Sequence, residues 1–299
     1  MKRLNKIKVQ FGQWLKFLFS AIRYHLGNCI LIDAWVWPSL GGIKKHNFGD
    51  DINVPLLEAL TGKHVSLLKK VKSKDDYLLA IGSIVDSLTT EKAIIWGSGY
   101  LAHDKPLLHL PKKVCAVRGP LTQKKLEEYG VKCPCVYGDP ALLLPLIFTP
   151  SVKKTYKFGI IPHFHDYDLP HVKKFREDHP EVLFIKMENY TSWKDVIAQI
   201  CSCENIVSSS LHGLIVSDAY GVPNVYVKFS ELVEGGEFKF KDYMGGVKRN
   251  YFPPIDFSLN VDLEKVIQEV QNYIRIDYDY RPLLRAFPYN LSKNFRNMI

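Results

Sequence analysis

The chain has 299 residues, 46% hydrophobic and 24% charged, the balance of a soluble globular protein with apolar material for two ordinary domains. Its net charge of +9 is uneven, because Lys2, Arg3, Lys6, Lys8, Lys16 and Arg23 all precede the first acid, Asp33, and the rest is close to balance. That pattern, with no recognisable binding module, no solenoid repeat and no low-complexity tract, argues against a nucleic-acid partner and against a repeat protein.

In residues 1–27, Leu4, Ile7, Phe11, Trp14, Leu18, Ile22 and Leu26 step by threes and fours, which predicts a basic amphipathic helix. No run there reaches the ~18 apolar residues that a spanning helix requires. Two readings stand: an interfacial helix on an anionic bilayer, or a helix packed on protein. A buried strand follows over 29–36, then a loop carrying NFGDD at 47–51 and a helix from Ile52 that Gly62 ends. Apolar runs at 76–83 and 92–99 end in glycine-serine turns, and the strand at 113–119 ends at Arg118. Pro120 opens a helix that Gly130 closes, and 135–145 repeats strand, turn and helix. A polar stretch at 149–155 marks a domain boundary. Beyond it strands at 157–163, 182–187, 205–207 and 222–227 alternate with helices at 192–202 and 210–221, and a tail helix covers 261–273.

Strands alternating with helices imply parallel sheets with crossovers. The expected architecture is therefore α/β: two doubly wound Rossmann-like domains, 28–150 and 151–260, facing a cleft, with the helix of 1–27 before them. A helical tail, 261–299, packs across both. In such sheets ligands bind at the carboxyl ends of the strands, and the unusual residues gather there in NFGDD, IWGSG, VRGP, YGDP, IPHFH and SSSLHG.

Each motif carries a functional and a structural reading. Ser208, Ser209 and Ser210 with the helix start after them suit an anion, and His212 would point into the cleft; alternatively the serines cap the helix and His212 is polar surface. Arg118 ends a buried strand, so its guanidinium meets a ligand anion or a protein carboxylate. Asn47, Asp50 and Asp51 are cleft groups or an N-cap with first-turn acids. Gly97, Ser98 and Asp139 line the cleft or shape turns. His163 and His165 stand two apart, but nothing completes a metal site, and the two Cys-x-Cys pairs have the wrong spacing for zinc. Residues 231–246 read as a mobile loop presenting Lys239, Lys241 and Asp242.

Taken in order, NFGDD, WGSG, RGPLT, GDPALLLP, IPH, SSSLHGLIVSDAYGVP and KFKDYMGG resemble the polysaccharide pyruvyl transferase family. The resemblance implies a B-type glycosyltransferase-like architecture. It also implies transfer of the enolpyruvyl unit of phosphoenolpyruvate to a sugar, giving a pyruvate ketal and phosphate; nothing in the residues calls for a cofactor or a metal. His212 and Asp50 match the family's catalytic positions. Arg118, Lys239 and the serines would hold the donor, and Asn47, Gly97, Ser98, Asp139, His163 and Asp242 would line the acceptor side. Some members carry an arginine where this chain has Ser210, leaving Lys228, Lys239, Lys241, Arg249 or the helix N-terminus to replace it. The expected partners are phosphoenolpyruvate, a glycan acceptor that is free or lipid-linked, and an anionic membrane at the cytoplasmic face. The rivals are a sugar-nucleotide glycosyltransferase of the same architecture and a non-catalytic glycan-assembly protein.

Overall fold

The computed structural model describes residues 24, 27, 29–35, 47–71 and 73–299. Apart from Tyr24 and Gly27, the helix expected over 1–27 lies outside the described residues.

Strands β1 (Cys29–Ile32), β2 (His64–Leu67), β3 (Tyr77–Leu79), β4 (Ala93–Trp96) and β5 (Lys113–Ala116) form one sheet in the order β2-β1-β3-β4-β5. Strands β6 (Tyr156–Ile161), β7 (Leu183–Phe184), β8 (Cys203–Ser208), β9 (Asn224–Lys228) and β10 (Ile255–Asp256) form the second, in the order β10-β9-β8-β6-β7. Every pairing in both is parallel. Numbered within its own half, each sheet has the same doubly wound order, 2-1-3-4-5.

The first sheet is joined by helices α1 (Phe48–Asp51), α2 (Asn53–Thr61), α3 (Leu68–Val71), α4 (Val85–Leu88) and α5 (Pro120–Glu128). A 3-10 helix, Pro140–Leu146, leads to the second half. There α6 (Pro170–Asp178), α7 (Trp193–Cys201), α8 (Leu211–Ala219) and α9 (Phe238–Gly246) join the strands, and α10 (Leu263–Gln271) follows β10. The chain ends in α11 (Arg281–Arg285) and α12 (Lys293–Arg296).

The central strands of both sheets are buried on both faces, which is why they read as continuous apolar runs. Side chains alternate: Ile30, Ile32 and Leu78 join one apolar cluster, and Leu31, Tyr77 and Leu79 another on the opposite face. The first cluster also takes in Ile161, Ile206 and Leu214 of the second sheet and its helix, so one core spans the two halves. The tail reaches back to the first half, where Trp96 Nε1 donates to Leu283 O at 2.9 Å and Ser292 N to Leu60 O at 2.7 Å.

Several elements differ from the sequence reading. The edge strands β2 and β10 escaped it because each is short and only part-apolar. The run at 135–145 forms no strand beyond a bridge between Val117 and Tyr137, and its helix is 3-10, with Pro140 at its start and Pro145 inside. Strand β1 stops at Ile32, which leaves Trp35 42% exposed. Residues 238–246 form α9 rather than a loop.

Candidate active site

In a doubly wound sheet the crossovers leave in opposite directions at one point, and a crevice opens there beyond the strand ends. The first sheet has that point between β1 and β3, the second between β6 and β8. Trp35 and Ser83 follow the first pair of strands; His163 and Ser210 follow the second. All four line one cavity of about 340 Å³, shared by both halves. Asn47, Asp50, His212 and Lys239 line it too.

His212 is the second residue of α8, whose N-cap Ser210 makes no side-chain cap bond. Its imidazole lies on Gly49, where an added Cβ would come within 2.1 Å of Nδ1. Only a glycine permits that approach. Nε2 is buried without a partner among the described residues, 4.0 Å from the equally unpartnered Oδ2 of Asp139. Burial, reinforced by the positive charges of Arg118 and then Lys239, lowers His212 to about 3, so the ring is neutral at physiological pH. His163, which also lines the cavity, is lowered to about 3 by burial and then by Lys239; its ring lies tilted against Phe164, centroids 4.2 Å apart.

Asp50 lies in α1, which Asn47 caps by accepting from Gly49 N at 3.2 Å. Burial, with Asp51 adding repulsion, raises its carboxyl to about 7. Lys239 is 6% exposed, donates to Glu234 O at 2.7 Å, and is lowered to about 8 by burial and then by Arg118.

Arg118 is placed differently from the expectation that it holds a donor anion. It is fully buried and does not line the cavity. Nε donates to Asp242 Oδ2 at 3.0 Å, Nη1 to Ser83 Oγ at 2.6 Å and Nη2 to Tyr100 O at 2.7 Å. The protein carboxylate, one of the two readings of that arginine, is Asp242. Asp242 is no cleft residue either, since Thr122 N and Oγ1 also donate to it, at 2.8 and 2.6 Å. α9 reaches Arg118 because Gly119 has no Cβ, which would otherwise fall 1.8 Å from Asp242 O.

Of the three serines only Ser210 lines the cavity. Ser208 Oγ is within 3.1 Å of Ile161 O and accepts from Ser210 N at 3.0 Å, tying β8 to β6. Ser209 Oγ donates to the buried Asp166 at 2.6 Å and accepts from His163 N at 2.8 Å, so it holds the histidine turn. Gly97 and Ser98 also lie off the cavity. Gly97 takes φ 88°, and Ser98 Oγ donates to Leu79 O at 3.2 Å; both shape the turn after β4. Asp139 is 1% exposed and caps the 3-10 helix through Ala141 N at 2.9 Å.

Of the four cations considered as substitutes for an arginine at Ser210, only Lys239 lines the cavity. Lys228 pairs with Glu231, Lys241 with Glu237 and Arg249 with Asp218. Lys186, which sequence reasoning missed, lines it as well, beside Trp35, Asp168 and Glu188. No local signal marked Lys186, because a lysine after a strand is ordinary surface.

A family model described as polysaccharide pyruvyl transferase matches residues 41–230. The chain is 27% identical over 244 residues to uncharacterized protein L143 of Acanthamoeba polyphaga mimivirus, covering 79% of this chain and 83% of that protein. It is 28% identical over 229 residues to the succinoglycan biosynthesis protein ExoV of Rhizobium meliloti (strain 1021), covering 73% of this chain and 66% of that protein. Asn47, Asp50, His163, Ser210 and His212 fall inside the matched span, and Lys239 beyond it.

Proposed function

Because this chain belongs to the polysaccharide pyruvyl transferase family, we propose that it moves the enolpyruvyl unit of phosphoenolpyruvate onto a sugar of a surface polysaccharide or of its lipid-linked precursor. The products are a pyruvate ketal and inorganic phosphate. The observation that carries this reading is the meeting of His212, Asp50 and Lys239 in one cavity beyond the strand ends of two parallel sheets, which we read as a B-type glycosyltransferase-like cleft.

The donor bears a phosphate and a carboxylate. Lys239 and Lys186 supply positive charge for them, and the N-terminus of α8 with Ser210 offers backbone amides. In the first step a sugar O–H breaks, its oxygen bonds to C2 of the donor, and C3 gains a proton. In the second, another hydroxyl oxygen bonds to C2, its proton leaves, and the C2–O bond to phosphate breaks with the electron pair going to phosphate. His212 is neutral and lines the cavity, so a ring nitrogen is free to accept a hydroxyl proton there. The near-neutral carboxyl of Asp50 is suited to give one to C3. The chemistry as written uses no cofactor.

Phosphate release from phosphoenolpyruvate with a panel of glycan acceptors tests this. We expect acceptor-dependent release, reduced on the order of 10²–10⁴-fold by His212→Ala. Release untouched by the substitution would move the chemistry away from this histidine. Binding of a sugar nucleotide with no affinity for phosphoenolpyruvate would make the protein a glycosyltransferase instead.

No helix among the described residues is long and apolar enough to cross a membrane. We place the protein at the cytoplasmic face, where phosphoenolpyruvate is made, held by the basic segment 1–27. The full chain should then co-sediment with vesicles containing an anionic lipid and stay in the supernatant with zwitterionic ones. Equal behaviour with both would remove the electrostatic anchor.

A further inference from the structure

We propose that Asp139 is a positioning residue that fixes the tautomer of His212, holding the proton on Nε2 and leaving the Nδ1 lone pair for the substrate. The inference rests on the reading of His212 given above, but its geometry stands by itself. Asp139 and His212 each bury one polar atom with no partner among the described residues, Oδ2 and Nε2, and these two atoms are 4.0 Å apart. A buried polar group left unpaired costs free energy, and closing this gap by about 1 Å satisfies both at once.

The two neighbours of the pair restrict what it can do. The other carboxylate oxygen, Oδ1, is engaged by Ala141 N at 2.9 Å, so Oδ2 is the oxygen left to face the ring. On the ring's face, Gly49 holds the imidazole in place. Nε2 is buried, whereas the ring is 16% exposed and lines the cavity, which leaves Nδ1, packed beside Gly49, as the nitrogen for a substrate to reach. Burial raises the Asp139 carboxyl to about 7, so at pH 8 it is mostly ionised and only accepts hydrogen bonds. Opposite it, Nε2 must carry the hydrogen, and Nδ1 is then the free base. The expectation from sequence put Asp139 on the acceptor side of the cleft; here it acts from behind the histidine.

Asp139→Asn tests this sharply because the cap dictates how the amide sits. Its carbonyl keeps the bond from Ala141 N, which places the NH2 group opposite Nε2. Nε2 must then accept, and the proton moves to Nδ1. The measurement is the nitrogen-15 spectrum of the histidine-labelled full chain at pH 8, with the His212 signals identified by their absence in His212→Gln. We expect Nε2–H in the wild type and Nδ1–H in Asp139→Asn. With it, kcat should fall on the order of 10²–10⁴-fold, with KM for phosphoenolpyruvate changed by no more than about threefold.

A wild-type His212 protonated on Nδ1, or the same tautomer in both proteins, would overturn the proposal. The wild-type spectrum decides even if the variant does not fold. Because the tautomer is read without turnover, a wild-type Nε2–H signal in a protein that cannot use phosphoenolpyruvate supports the pairing and counts only against the reaction.

Discussion

Replacing Arg118 with alanine should destabilise the protein by roughly 3–5 kcal/mol, the cost of leaving a buried charge without its partner. The guanidinium is fully enclosed and gives one donor each to Asp242, Ser83 and Tyr100. Removing it strands the Asp242 carboxylate in the same enclosure and frees α9 from the end of β5. Asp242→Leu added to Arg118→Met should recover only part of the loss, because Thr122 N and Oγ1 also rely on that carboxylate. Denaturant unfolding of the three proteins measures both effects. An Arg118→Ala protein with unchanged stability but lost affinity for phosphoenolpyruvate would return this arginine to the donor site.

Asp50→Asn should trade in the opposite direction, with stability gained and activity lost. In the folded protein burial and Asp51 raise this carboxyl from 3.8 to about 7. Between those values the folded state holds a proton that the unfolded chain has released. The stability tied to this group is therefore fully present below 3.8 and is lost as the pH rises through 7. Asparagine has no charge to bury, so the variant should be more stable than wild type by roughly 2–4 kcal/mol at pH 8, and the gain should shrink toward pH 5. Asp139, also raised to about 7 by burial, contributes with the same sign. His163 and His212, each lowered from 6.5 to about 3, contribute with the opposite sign as the pH rises to 6.5. The comparison of variant with wild type removes those shared terms. Thermal melts at pH 5 and pH 8 provide the test, and a gain that is the same at both would show that the carboxyl is not buried as a charge. Phosphate release by the variant should fall on the order of 10²–10³-fold if Asp50 delivers the proton to C3.

Much of the architecture was legible because parallel strands buried on both faces leave unbroken apolar runs, and their turns leave glycine and serine. Thus 76–83 and 92–99 led to β3 and β4, and 157–163 to β6. The edge strands β2 and β10 left no such run, because half their surface faces solvent. Sequence likewise placed Asp50, His163, Ser210 and His212 at the strand ends that line the cavity. It could not tell whether a polar residue in a turn looks inward or outward. Ser208, Ser209, Ser98 and Arg118 all have the composition of ligand-binding groups, and all spend their hydrogen bonds on the protein itself.

What the sequence by itself determined is the alternation of strand and helix, the place of His212 at the start of a helix and the family to which the ordered motifs belong. These are local patterns, written within a few residues of one another. The tertiary structure alone decided which partner each buried charge meets. Arg118 and Asp242 are 124 residues apart, and their pairing follows from α9 docking against Gly119. Gly49 under the imidazole and Asp139 behind it belong to two further segments, brought to His212 only when the two sheets close on each other. A buried charge or ring nitrogen must be satisfied by something, but the chain can supply that partner from any segment, and only packing chooses it.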